Sequence, residues 1–165
     1  MIEFSYSSRI DNWLIHAYHW PLEPNRGVVV ISHGLAEHAL RYARFAAALN
    51  GAGYAVYAMD HRAHGRTLGP EGFGDFGDGG WDALVDDIDQ LIDIALAQSG
   101  DVPVVLCCAS GSRSGMASLL LRRHGGRWSS ADLDPQTVAA IRALIGERVY
   151  QIDERSTPFA DSSFD

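Results

Sequence analysis

Gly27-Val28-Val29-Val30-Ile31-Ser32-His33-Gly34 begins as a β-branched run with no polar alternation and stops abruptly at a histidine and a glycine. A strand with one wet face would alternate. One covered on both faces would not, so this run predicts a strand inside a parallel sheet flanked by helices. Downstream, Leu40, Tyr42, Phe45, Ala46 and Leu49 recur close to helical spacing, and Asn50-Gly51 followed by Gly53 supplies a left-handed stop. A second apolar run, Tyr54 to Met59, ends at Asp60. The glycine-rich loop that follows, His61 to Gly80, is of the length that usually carries function.

Trp81, Leu84, Val85, Ile88, Leu91, Ile92 and Ala95 then mark one face of a long helix, with Asp82, Asp86, Asp87 and Asp89 expected mostly on a solvated opposite face. Ser99-Gly100 closes it. Val102 to Cys107 is a third buried strand, followed by a small-residue turn and a helix from about Gly115 to His124. Asp134-Pro135 starts a short helix by its cap and first-turn proline, and Arg148 to Ile152 reads as a further strand. Alternating strands and helices predict an α/β fold: a three-layer α/β/α arrangement around a mostly parallel sheet, preceded by antiparallel material from Glu3 to Trp20. Residues 1–128 are expected to form the main unit, with 129–165 an unassigned segment frayed at its end.

The bulk properties narrow the partners. A chain of 165 residues, 47% hydrophobic, suits one domain, and a formal charge of −8 repels a phosphate backbone, so nucleic acid is excluded as a partner. The two cysteines, Cys107 and Cys108, are adjacent and cannot staple distant parts of a fold, which points to a reducing, cytoplasmic setting. The start has no signal-peptide pattern, and no apolar run reaches the roughly 18 residues a membrane span needs. Four histidines, His33, His38, His61 and His64, lie on two loops without metal-ligand spacing. They are expected to organise those loops by hydrogen bonding, with no metal and no cofactor.

The loop His33-Gly34-Leu35-Ala36-Glu37-His38, continued by Arg41-Tyr42, resembles the signature of the lysophospholipase and monoacylglycerol lipase branch of the α/β-hydrolases. Asp60-His61-Arg62-Ala63-His64-Gly65-Arg66-Thr67 extends the resemblance, with Ala63 where that family usually has glycine, and it runs through Gly80-Trp81 to cover residues 1 to about 106. The resemblance implies an ester or lipid-like acyl substrate and an oxyanion-binding backbone N–H at Leu35. It also makes His33, Gly34, Glu37, His38, Asp60 and His64 loop-organising residues.

After the third strand the family has Gly-x-Ser-x-Gly, and this chain reads Cys108-Ala109-Ser110-Gly111-Ser112. Ser110 stands at the nucleophile position and Gly111 at the second oxyanion donor, but both flanking glycines are replaced. From its cysteine, the stretch Cys108 to Ala117, running on through Leu121 to Gly125, resembles the active-site loop and following helix of a rhodanese-type sulfurtransferase. That resemblance implies Cys108 as an alternative, thiolate nucleophile. Pro158 to Asp165 is similar to a segment of class I methyltransferases, without the glycine-rich cofactor loop upstream, so no S-adenosylmethionine is expected.

A serine hydrolase of this fold needs an acid and a histidine after its serine. The only histidine after Ser110 is His124, about 14 residues and roughly 20 Å away along a helix axis. The reading is therefore a serine ester hydrolase with an unfilled triad and little or no activity. The alternatives are a sulfurtransferase using Cys108 and a non-catalytic scaffold, the chain being truncated, chimeric, frameshifted or designed. An incomplete sheet would leave an edge through which two copies could dimerise.

Overall fold

A computed structural model describes residues 1–69, 72–100, 102–108, 128–132 and 149–151. Among these, one sheet takes the strands in the order β1-β2-β4-β3-β5-β6-β7. The strands are β1 (Ile2–Ser7), β2 (Leu14–Trp20), β3 (Val28–Ser32), β4 (Ala55–Met59), β5 (Val104–Cys108), β6 (Trp128–Asp132) and β7 (Val149–Gln151). The hairpin β1–β2 is antiparallel and joins the sheet through an antiparallel β2–β4 pair. From there β4, β3, β5, β6 and β7 run parallel. This is the expected α/β architecture, with the antiparallel lead where the sequence placed it.

The expectation for residues 28–32 holds: all five are buried. Val28 and Val30 pack with Ala55, Tyr57, Val104 and Leu106 against Ile88, Leu91, Ile92 and Ala95 of helix α2 (Gly80–Ser99). Val29 and Ile31 join Val56, Ala58, Val105 and Tyr18 on the other face, under Ala46 of helix α1 (Ala43–Gly51). The period-two alternation of a strand thus divides one apolar run between two helical layers. Each fully buried aliphatic side chain contributes about 1.5–3 kcal/mol relative to exposure.

Several expectations need correction. The helix expected from Leu40 begins as a 3-10 turn over Ala39–Tyr42, and only Ala46 of α1 is buried; Phe45 is exposed. In α2 the indole of Trp81 lies half in solvent, not in the core. Asp87 and Asp89 do not belong to a solvated face: both are buried, because Arg62 and Arg9 come to meet them. The C-terminal stops are as read, with Gly53 at φ +99° and Gly100 at φ +75°, conformations that glycine adopts without a Cβ penalty. The helices expected near 115–124 and after Asp134 lie outside the described residues.

Candidate active site

Parallel pairing fixes which loops share an edge. Ser32 is in register with Met59 and with Cys108, so β3, β4 and β5 end side by side at the carboxyl edge of the sheet, and the segments starting at His33 and Asp60 leave it there. Ligands of open α/β sheets bind beyond that edge. Cys108 closes β5 there; Ser110 and Gly111 lie outside the described residues.

Gly34 to Glu37 is a tight turn closed by the Glu37 N–H donating to the Gly34 carbonyl at 3.1 Å, with Ala36 at φ +59° in its third position, as in a type II turn. The same carbonyl lies 2.7 Å from Nδ1 of His33, while Nε2 of His33 accepts the His61 backbone N–H at 2.9 Å. An imidazole that accepts through Nε2 and faces a carbonyl through Nδ1 is the neutral Nδ1–H tautomer. The Gly34–Leu35 peptide is thus anchored at its oxygen from two sides. Because N–H and C=O of a trans peptide point opposite ways, the Leu35 N–H is turned away from those anchors. It meets no hydrogen-bond acceptor among the described residues. Leu35 itself is 73% exposed. An amide held in this way needs no reorganisation to receive negative charge developing on an oxygen.

Beneath this turn the imidazoles of His33, His61 and His64 pack together, with ring centroids 4.0 Å apart for the first pair and 5.4 Å from His33 to His64. Nε2 of His61 lies 3.1 Å from Ser32 Oγ, and Nδ1 of His64 lies 3.0 Å from the Arg62 carbonyl. Each ring bonds to a backbone group. His38 is different: its side chain is exposed and makes no capping bond, and its carbonyl receives the Arg41 N–H. Asp60 is buried and accepts the Ala39 N–H at 2.7 Å, the Arg66 N–H at 2.9 Å and the Tyr18 hydroxyl at 3.2 Å. Burial, and after it the Asp60 charge, raises the Tyr18 phenol above its ordinary value. Gly65, at φ +53°, sits where a Cβ would collide with the Asp60 carboxylate.

The sequence reading did not single out Arg62, which is fully buried. Its guanidinium grips Asp87 of α2 through Nε at 2.8 Å and Nη2 at 3.2 Å, and Asp11 of the β1–β2 turn through Nη1 at 2.9 Å. It also donates to the Phe76 carbonyl at 3.0 Å and to Ser8 Oγ at 3.2 Å, and lies 5.1 Å over the Trp13 ring. Every part of the fork is used, so the charge is buried with its partners. Burial raises the Asp87 carboxyl against the pull of Arg62. Burial also works to raise Asp11, but there the Arg62 bonds and the Trp13 N–H prevail and its carboxyl falls. The signal for this hub was an arginine between the two histidines of the Asp60–Thr67 motif, facing an aspartate among the apolar positions of the next helix.

Among the described residues no group of three or more His, Cys, Asp or Glu could hold a metal ion, and no helix is long and apolar enough to cross a membrane.

Residues 23–131 match the family described as serine aminopeptidase S33. A monoacylglycerol lipase of Mycolicibacterium smegmatis is 59% identical over 44 residues, 27% of this chain and 16% of that protein. Among solved structures, a thermostable carboxyl esterase from Bacillus coagulans superposes with a TM-score of 0.71 at 30% identity, over 79% of this chain and 43% of the esterase. A lipase in its open form gives 0.70 at 30% identity, over 86% of this chain and 51% of the lipase. The chain therefore spans about half, or less, of the length of these relatives. The match over residues 23–131, on a sheet of this topology, makes the chain an α/β-hydrolase of the serine aminopeptidase S33 family, similar in sequence to monoacylglycerol lipases.

Proposed function

We propose that this chain carries the oxyanion turn and nucleophile elbow of a serine hydrolase acting on carboxylic esters of lipid-like acyl chains, in the cytoplasm. The observation that carries the reading is the Leu35 N–H, turned outward at the end of β3 beside the end of β5, where a carbonyl under attack would need a donor. Ser110 is the nucleophile in this reading, and Gly111 supplies the second N–H. The names of the relatives, a monoacylglycerol lipase and a carboxyl esterase, support the substrate class. Since the only histidine after Ser110 is His124, the chain alone is expected to turn over esters weakly or not at all.

The test is the intact mass after incubation with a fluorophosphonate and, separately, with iodoacetamide at about pH 6, where only an activated thiolate alkylates fast. A fluorophosphonate adduct that disappears in Ser110→Ala supports the reading. Fast alkylation that disappears only in Cys108→Ala replaces it with a thiol enzyme. If neither reagent adds, the chain is a scaffold. Self-association of two copies through an exposed edge of the incomplete sheet would appear as a doubled mass in light scattering of the same samples.

A further inference from the structure

We infer that Glu37 is the positioning residue of the oxyanion turn, and that it works through the two hydrogen bonds to one carboxylate oxygen and not through its ion pair with Arg41. One oxygen, Oε2, receives both the Gly34 N–H at 2.7 Å and the Tyr42 hydroxyl at 2.6 Å. The ion pair is made by the other oxygen: Arg41 Nε stands 3.4 Å from Oε1, and the Arg41 side chain is 67% exposed. A pair so open to solvent contributes little, whereas the two short bonds to Oε2 are made at partly buried sites.

The geometry gives these bonds their purpose. His33 and the Glu37 N–H hold the Gly34–Leu35 peptide by its oxygen, but that leaves rotation about the backbone bonds of Gly34, the residue with the widest conformational range. The carboxylate captures the N–H on the other side of Gly34 and so fixes the preceding peptide as well. Tyr42, in the 3-10 turn of residues 39–42, holds the carboxylate in turn. The chain from Tyr42 through Glu37 to Gly34 determines where the Leu35 N–H points.

The catalytic consequence rests on the hydrolase reading; the structural one rests on geometry alone. The test uses the whole chain and compares wild type, Glu37→Ala and Glu37→Gln by two measurements. In amide hydrogen exchange, Glu37→Ala should speed the Gly34 N–H by about tenfold or more, and glutamine, whose carbonyl can accept both bonds, should restore its protection. In the second-order rate of fluorophosphonate addition, Glu37→Ala should be slower by about tenfold or more, the scale of a displaced oxyanion donor, and glutamine should restore the rate to within about threefold. If glutamine behaves like alanine, the charge is what matters and the inference is overturned. Unchanged Gly34 exchange in Glu37→Ala overturns it as well. A wild type that takes up no probe overturns the hydrolase reading and the catalytic half of this inference, while the exchange data still decide the structural half.

Discussion

Replacing Arg62 by methionine removes the guanidinium but keeps most of the aliphatic stem, and leaves the Asp87 carboxylate fully buried with no counter-charge from that side. Breaking a buried pair in this way costs about 3–5 kcal/mol, a large fraction of the total for a domain of this size. The sign of its pH dependence follows from Asp87. Burial already raises its carboxyl in the presence of Arg62, so a folded-state value above the unfolded one means stability that is full at low pH and lost as pH rises through the folded value. Without Arg62 that value rises further, so the cost of Arg62→Met should shrink as the pH is lowered and Asp87 takes up a proton. Urea unfolding followed by tryptophan fluorescence measures this, Trp13 lying directly under the guanidinium. The double variant Arg62→Met/Asp87→Asn removes the orphaned charge and should recover about 2 kcal/mol or more of the loss at pH 7. A loss below about 1 kcal/mol, or a double variant no more stable than the single one, would refute the reasoning.

Asp11, whose carboxyl is lowered, contributes stability present above its unfolded value and lost as pH falls through the lower folded value; Asp11→Asn should therefore cost up to about 1 kcal/mol at pH 7 and progressively less as acid takes the pH down through that folded value, read as urea midpoints. Gly65→Ala drives a methyl group into the Asp60 carboxylate at a positive φ and should cost about 2 kcal/mol or more; an unchanged melting curve would mean the loop gives way. Ala36 is exposed at φ +59°, so Ala36→Gly gives up no buried methyl group and relieves a left-handed alanine, with an expected gain of about 0.5 kcal/mol after the entropy of glycine is counted. A lower melting temperature in that variant would argue against the turn as described.

The sheet was legible because burial on two faces leaves a simple trace. Val28 to Ile31 must be apolar at every position when Val28 and Val30 meet α2 while Val29 and Ile31 meet the α1 layer. Helix α2 was legible in extent for the same reason, yet its aspartates were misread. Periodicity reports which side chains share a face, not whether a cation from another segment makes that face dry. Asp87 adjoins Ile88 in sequence and would be solvated but for Arg62, which comes from 25 residues upstream. Trp81 fails the other way: at the first turn of α2 it lies half in solvent with its ring 5.5 Å from that of Phe76, outside the core.

The same limit explains how the candidate site was read. Family resemblance marked Glu37, Asp60 and His33 as organisers of their loops, but a motif read along the chain does not say which atom each residue holds. Spacing could not foretell that His33 links the turn to the His61 amide across the sheet edge, or that Asp60 collects an N–H from residue 39, another from residue 66 and a hydroxyl from β2. These partners lie 6 to 42 residues from the histidine or aspartate they meet, and what brings the distant ones together is the pairing of β4 with β3 on one side and with β2 on the other. Changing Asp60 should therefore disturb the Leu35 turn through Ala39 without touching it, and Asp60→Asn should do so less than Asp60→Ala, since an amide oxygen can still accept one of the three bonds. Equal exchange rates at Gly34 in the two variants would mean that the 3-10 turn, not Asp60, carries that connection.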